Sequence, residues 1–127
     1  MILNVYITYK KIYDENKQRD LVFYANTLNT IDLWCYDEDD TVVDISGATV
    51  TLIVQNKVNL ATGENPDLNI IGNLIAPTSG NAEIEITKSD CANLEGNYIY
   101  EIKIALVETG HDYVLAQGNC TFKKTLN

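Results

Sequence analysis

The sequence has few of the residues with which enzymes and metalloproteins work. It contains one histidine, His111, and three cysteines, Cys35, Cys91 and Cys120, without a Cys-x-x-Cys spacing. A zinc site needs three or four ligands that include close pairs, and this composition does not supply them. The Gly-x-x-x-x-Gly-Lys-Ser/Thr motif of phosphate-binding loops is absent from the sequence as well. We therefore expect no enzymatic activity, no cofactor and no metal.

Basic residues are also scarce. The chain has nine Lys and Arg against 18 Asp and Glu, and its formal net charge is −9. Nucleic acids and anionic membranes bind to basic surfaces, so neither is expected as a partner. The exception is the N-terminus, which holds four of the nine basic residues: Lys10, Lys11, Lys17 and Arg19. This local excess has two interpretations, a solvated loop or an arm that docks on an acidic neighbour such as another copy of the chain.

Long apolar runs and helical periodicity are missing too. No stretch approaches the ~20 apolar residues of a membrane-spanning helix, and the N-terminus lacks the basic and apolar regions of a signal peptide. An odd number of cysteines without a framework predicts reduced thiols in a reducing compartment. The length of 127 residues with 46% apolar composition fits one domain with one core.

What the chain has in abundance is period-two alternation of apolar and polar residues. Residues 39–55 and 80–106 show it most clearly, and turn residues interrupt it. This pattern predicts an all-β fold, an immunoglobulin-like antiparallel sandwich of seven to eight strands. We expect a short hairpin around Gly72-Asn73 and a bulge at Gly118. Tyr98 or Tyr100 could form a tyrosine corner, or both could simply fill the core.

The N-terminal segment alternates in the same way, with Leu3, Val5, Ile7 and Tyr9 on one face. We divide the chain into an N-terminal arm, residues 1–24, and an immunoglobulin-like domain, residues 25–127. An unpaired apolar strand is an aggregation hazard, so the arm should pack on a sheet edge of its own copy or of a neighbour. On this interpretation a chain that starts at Asp20 folds but loses assembly.

Several aliphatic side chains are predicted on nominally outer faces, where a monomer gains nothing from them. These residues are Ile53, Ile99, Val107 and Leu115. We therefore predict an interface with other proteins or other copies. Its predicted residues are Leu3, Val5, Ile7, Tyr9, Ile53, Ile99 and Leu115.

Two further features have a functional and a structural interpretation. Four carboxylates at residues 37–40 could bind Ca²⁺, but the EF-hand spacing fails, and a solvated hairpin tip is the interpretation we prefer. Trp34 and Tyr36, with Tyr6 and Tyr24, could stack on sugar rings or anchor a partner. Alternatively, the N-terminal strand covers them, which is the interpretation we favour.

Certain motifs resemble a known family. They are Val-Asp-Ile-Ser-Gly-Ala-Thr-Val (43–50), Leu-Glu-Gly (94–96), Tyr-Ile-Tyr-Glu-Ile (98–102) and Gly-Asn-Cys-Thr-Phe (118–122). Their order resembles the immunoglobulin-like N-terminal domain of tailed-phage baseplate upper proteins and related small virion proteins, over roughly residues 28–124. This chain differs in its added segment 1–24, and it stops where those proteins continue.

The resemblance implies a structural protein of a phage virion, made in the host cytoplasm, that assembles with itself and with other virion proteins. It leaves the place in the particle open: baseplate, tail, neck or head fibre. The alternative from another class is a carbohydrate-binding or adhesin-type β-sandwich module.

Overall fold

The computed structural model describes residues 4–7, 10–11, 17–56, 65–107 and 109–125. In this part of the chain the regular structure is ten strands and one 3-10 turn, Pro77–Ser79. The strands are β1 (Asn4–Ile7), β2 (Lys10–Lys11), β3 (Leu21–Tyr24), β4 (Asn29–Tyr36), β5 (Thr49–Gln55), β6 (Leu68–Ile71), β7 (Asn73–Ala76), β8 (Asn81–Ile86), β9 (Gly96–Ala105) and β10 (Asp112–Lys123). The all-β prediction is confirmed, with ten strands where seven or eight were expected.

The strands form two five-stranded sheets. We name them sheet A, with the order β2-β1-β4-β8-β7, and sheet B, with the order β3-β10-β9-β5-β6. Three neighbouring strands of sheet A, β1-β4-β8, face three neighbouring strands of sheet B, β10-β9-β5. This arrangement is that of the two layers of an immunoglobulin sandwich. The pairing is antiparallel except between β3 and β10, which run parallel.

Alternation along the strands builds the core between the sheets. Ile31, Leu33 and Cys35 of β4 are buried, and the residues between them are only half-buried. In β9, Ile102 and Ile104 are fully buried in the same way. Because successive side chains of a strand point to opposite faces, this periodicity by itself directs one face of each sheet inward.

Strands of the predicted arm belong to both sheets. β1 pairs with β4 in sheet A, and β3 pairs with β10 in sheet B. Val5 and Ile7 are 0% and 1% exposed, so β1 closes the core of its own chain. The boundary after residue 24 stays a prediction, but the strands before it are structural members of the sandwich.

The predicted hairpin around Gly72-Asn73 is wrong. β6 pairs with β5 and β7 pairs with β8, so the chain passes from sheet B to sheet A at Gly72. The Gly72 N–H donates to the Val50 carbonyl at 2.8 Å. A Cβ at residue 72 would lie 3.0 Å from both the Glu83 carbonyl oxygen and the Ile84 side chain, so the crossing is narrow enough to favour glycine.

The bulge of β10 is also not where the sequence suggested. The register with β9 shifts between Val114 and Ala116, which makes Leu115 the extra residue, whereas pairing is regular around Gly118. A bulge puts two consecutive side chains on similar sides of the strand. Leu115 and Ala116 are accordingly both fully buried, and the assignment of Leu115 to an outer face is wrong.

Candidate interaction surface

The outer face of sheet B carries a shallow open groove of about 580 Å³, which we call the sheet B groove. Its floor is formed by Ile53 of β5 and Ile99 of β9, both half-buried. The two strands are paired so that Ile53 lies opposite Glu101 and Gln55 opposite Ile99. The isoleucines are therefore diagonal neighbours on one face. The prediction that both point outward agrees with their position.

Uncharged polar side chains surround this apolar floor. The groove is lined by Gln18, Gln55, Gln117 and Asn119 beside the two isoleucines. The one carboxylate in it, Glu101, lies 3.1 Å from the Lys103 ammonium group, and both side chains are partly exposed. Such a pair is worth about 0–1 kcal/mol. The groove thus offers apolar area and amide hydrogen-bonding groups with little net charge, which suits a polypeptide surface better than a charged ligand.

Gln18, which lines the groove, lies in the segment 17–20, and this segment runs along β10. The Arg19 N–H donates to the Gln117 carbonyl, and the Gln117 N–H donates to the Lys17 carbonyl, both at 2.9 Å. The Arg19 guanidinium reaches across to sheet A and donates to the Ile7 carbonyl at 2.6 Å. This segment therefore joins the two sheets, and the Arg19 side chain, one of the four basic side chains near the N-terminus, has a structural contact.

Tyr100 contacts the same segment, residues 17–20, through a hydrogen bond. Its hydroxyl donates to the Arg19 carbonyl, and burial raises the pKa of Tyr100, so the hydroxyl stays protonated and able to donate. Tyr98 packs edge-on against Phe122 with 5.6 Å between ring centroids. Tyr100 thus contacts a residue 81 positions away rather than its own corner, and Tyr98 fills the core.

The other residues of the predicted interface lie elsewhere. Val5 and Ile7 are buried between the sheets, as is Leu115, so none of the three is available to a partner in this conformation. The physical reason is the same for all three: each supplies apolar area to the chain's own core. Leu3 and Tyr9 lie outside the described residues.

The acidic turn at residues 37–40 uses its first carboxylate internally. Asp37 Oδ1 accepts hydrogen bonds from the N–H groups of Asp39 and Thr41, each at 2.9 Å. This arrangement closes the turn and favours the hairpin-tip interpretation. Within the described ranges, no group of three His, Cys, Asp or Glu side chains is placed to hold a metal ion.

His111 lies in the exposed connection between β9 and β10. Its backbone N–H donates to Thr109 Oγ1 at 3.2 Å, and its carbonyl accepts from the Leu106 N–H at 3.1 Å. These contacts are those of a turn residue. The expectation that the chain is not an enzyme stays a prediction.

All three cysteines are unpaired and fully buried. Burial raises the pKa of Cys35 and of Cys120 to about 12 in each case. Cys91 Sγ lies 3.3 Å from the Thr27 carbonyl and 3.4 Å from the Thr87 carbonyl, so it helps to hold the β8–β9 turn. Thiols that are buried and protonated are poor nucleophiles.

We expect the native protein to react slowly with a thiol reagent at neutral pH, and the unfolded protein to show three free thiols. The reason is that the thiolate, the reactive form, is scarce when the pKa is near 12 and the sulfur is buried. Titration with and without denaturant measures both quantities. A count of one in the unfolded protein would mean that a disulfide had formed.

The outer face of sheet A is polar and carries two aromatic rings. Trp34 and Tyr36 of β4 are half-buried, and Trp34 Nε1 donates to Asp32 Oδ2 at 2.8 Å. The buried Asn81 side chain donates to Asp32 Oδ1 at 3.0 Å. Burial raises the pKa of the neighbouring Glu83, with a hydrogen bond and repulsion from Glu85 and repulsion from Asp32 adding to it.

Sequence reasoning missed the edge formed by β6 and β7. Ile71 is 69% exposed and Ile75 is 57% exposed. The available signal was composition: residues 68–76 contain no charged side chain. The predicted hairpin would pair β6 with β7, whereas the two strands are the outermost strands of two different sheets.

Comparison with known proteins does not show a function. No protein-family model matches the chain, and no curated protein matches it. Similar solved structures include CopC from Methylosinus trichosporium OB3b, at 12% identity over 85% of this chain and 87% of that one, with a TM-score of 0.46. AggA, the major subunit of aggregative adherence fimbriae type I from Escherichia coli, has 11% identity over 97% and 94% of the two chains and a TM-score of 0.35.

A DUF4784 family protein from Bacteroides caccae is similar at 10% identity with a TM-score of 0.44, over 96% of this chain but 24% of that one. Separately, no helix in the described part of the chain has the length and apolar character needed to cross a membrane.

Proposed function

We propose that this chain is a structural module of a phage particle that binds other virion proteins and copies of itself. The observation that carries the proposal is the sheet B groove, in which Ile53 and Ile99 form an apolar floor within a neutral, amide-rich surround. Such a surface buries apolar area when a second polypeptide covers it. The phage setting is supported by the sequence resemblance over residues 28–124.

The direct test of the phage role is the composition of the particle. Particles from a host that makes this chain are purified by density gradient and analysed by quantitative mass spectrometry. We expect the chain in a fixed copy number relative to the other virion proteins. Its absence from purified particles, while it is abundant in the lysate, would contradict the role.

The groove itself is tested by charge. Ile53→Lys or Ile99→Lys places an ammonium group on the apolar floor, so we expect each variant to lose incorporation into particles at least tenfold. The melting temperature should change little, because both side chains are only half-buried. The matched control is Thr49→Lys, on the outer face of the same strand but outside the groove lining.

A carbohydrate-binding module is the second candidate, favoured by one observation. Trp34 and Tyr36 lie on one face beside Asp32 and Asn81, and an aromatic ring next to polar side chains can stack on a sugar and bind its hydroxyls. A glycan-array screen of the wild type and Trp34→Ala decides it. Binding that depends on Trp34, together with unchanged behaviour of the Ile53 and Ile99 variants, would replace the virion role.

A further inference from the structure

The open edges of the two sheets differ in how well they are protected against pairing with another chain. The edge strands are β2 and β7 in sheet A, and β3 and β6 in sheet B. An edge strand carries unpaired N–H and C=O groups and will pair with another strand unless it is short, charged, bulged or covered.

Three of the four edges carry one. β2 is two residues long, and both are lysines. In β3, the outward backbone groups of Tyr24 are occupied by the side chain of Asn29, the first residue of β4. This side chain accepts from the Tyr24 N–H at 2.9 Å and donates to the Tyr24 carbonyl at 2.8 Å. β7 has a register irregularity between Leu74 and Ala76 and runs directly into Pro77.

The fourth edge, β6, is four residues long like β3 and β7, but among the residues that the structure describes it has no charge, no bulge and no covering contact. Its four residues, Leu-Asn-Ile-Ile, are uncharged and pair with β5 in unbroken register. The Gly72 N–H donates to Val50, so the hydrogen-bonded pairs with β5 fall on even-numbered residues of this strand. The N–H and C=O groups of Asn69 and Ile71 therefore point to the open side.

We infer that two copies of this chain pair through β6 across a twofold axis at Ile70, which joins their B sheets into one ten-stranded sheet. This rests on the proposed role as a self-assembling module and names the edge and the symmetry. A twofold axis makes the two β6 strands antiparallel. With Ile70 opposite Ile70 of the second copy, Asn69 of each copy lies opposite Ile71 of the other. The N–H and C=O groups of Asn69 and Ile71, four in each strand, then all form hydrogen bonds across the axis.

Side chains and charge fit the same register. Asn69 and Ile71 both lie on the outer face, so the exposed Ile71 side chain packs beside Asn69 of the second copy. The nearest charged residue along the strand, Asp67, already accepts the Asn56 N–H at 2.8 Å. In this register the two Asp67 residues are about 20 Å apart along the strands, beyond the ~10 Å Debye length. Repulsion between two chains of net charge −9 remains and is screened by salt, so the dimer should strengthen with ionic strength.

The first experiment measures mass in solution. Sedimentation equilibrium of the wild type should show a concentration-dependent approach to twice the 14.2 kDa of one chain. Ile71→Lys should remain at the mass of one chain, because it places two ammonium groups at the interface. Val22→Lys on the β3 edge and Val107→Lys should dimerise normally, since these side chains are 53% and 70% exposed but lie on other parts of the sandwich.

The second experiment tests the register. Ile70→Cys places two thiols at a non-hydrogen-bonded pair with Cα atoms about 4.5 Å apart, which permits a disulfide. Ile71→Cys places its two thiols on residues whose Cα atoms lie more than ~7 Å apart, which is too far for a disulfide. Under mild oxidation we expect a covalent dimer from the first variant and at least tenfold less from the second. The native cysteines are buried and do not compete.

The outcomes separate this inference from the proposed function. A wild type that stays monomeric up to about 1 mM, or equal cross-linking of the two cysteine variants, overturns the twofold pairing. Loss of dimerisation in Val22→Lys instead of Ile71→Lys also overturns it. If the chain is found in virions while any of these results holds, the structural role stands without this dimer. If it dimerises through β6 but is absent from particles, the dimer stands and the virion role falls.

Discussion

A chain that begins at Asp20 will not keep the fold at 37 °C. The deletion removes Val5 and Ile7, which are 0% and 1% exposed, and each buried aliphatic side chain contributes about 1.5–3 kcal/mol. It also removes the Arg19 contacts with Ile7 and Tyr100. The two side chains alone amount to about 3–6 kcal/mol, a large part of the ~5–15 kcal/mol by which a domain is stable.

Circular dichroism during heating measures the effect, and we expect no cooperative transition above 37 °C. The matched control is Val22→Ala, which also lies within residues 1–24 but is 53% exposed and should change stability by less than about 0.5 kcal/mol. The sequence alone suggested that the truncated chain would fold. A truncated chain that melts within a few degrees of the full chain would support that earlier view and contradict the role of β1 in the core.

Gly118→Ala will destabilise the protein by about 2–6 kcal/mol. Gly118 has a φ of +150°, a conformation that side chains disfavour, and a Cβ there would lie 2.6 Å from the Arg19 carbonyl oxygen. The substitution must either strain β10 or push the segment 17–20 away, which would break its bonds to Gln117 and Tyr100. For a domain of this size the melting temperature should fall by roughly 8–20 °C.

Gly110→Ala is the control for this change. Gly110 has a φ of +68°, but no atom lies within 4 Å of the added Cβ, so only the backbone cost of about 1–2 kcal/mol applies. Chemical denaturation of the two variants gives both free energies of unfolding. Equal losses would show that close contact with Arg19 adds nothing at Gly118.

Local patterning was sufficient to predict most strands, because alternation depends only on which side chains share a face. The inward positions of β9 and of β5 followed directly, and so did the outward direction of Ile53 and Ile99. The errors arose where one residue changes the phase or the partner of a strand. Leu115 is an extra residue in β10, and Gly72 moves the chain between sheets. Neither the extra residue in β10 nor the change of sheet at Gly72 can be recognised from the sequence of one strand.

The interaction surfaces divide in the same way. The apolar floor of the sheet B groove could be anticipated from the phase of two strands. The segment that carries Gln18 at its side is held by the contact between Tyr100 and Arg19, which are 81 residues apart. Composition marks residues 68–76 as uncharged, but the position of β6 at an edge could not be anticipated, because it depends on the order of strands in sheet B. Strand order is decided by long-range pairing and not by local propensity.

By itself the sequence determined the class of this protein: an acidic all-β chain, with unpaired cysteines and alternating strands suited to a sandwich. These are properties of composition and period, which each segment carries without reference to the others. Tertiary structure decided which apolar residues are core and which are surface. Val5, Ile7 and Leu115 are covered by neighbouring strands, whereas Ile71 has, among the residues that the structure describes, no neighbouring strand on one side. An aliphatic side chain has the same chemistry in both places, and only the packing around it determines whether it stabilises the chain's own fold or remains available to a partner.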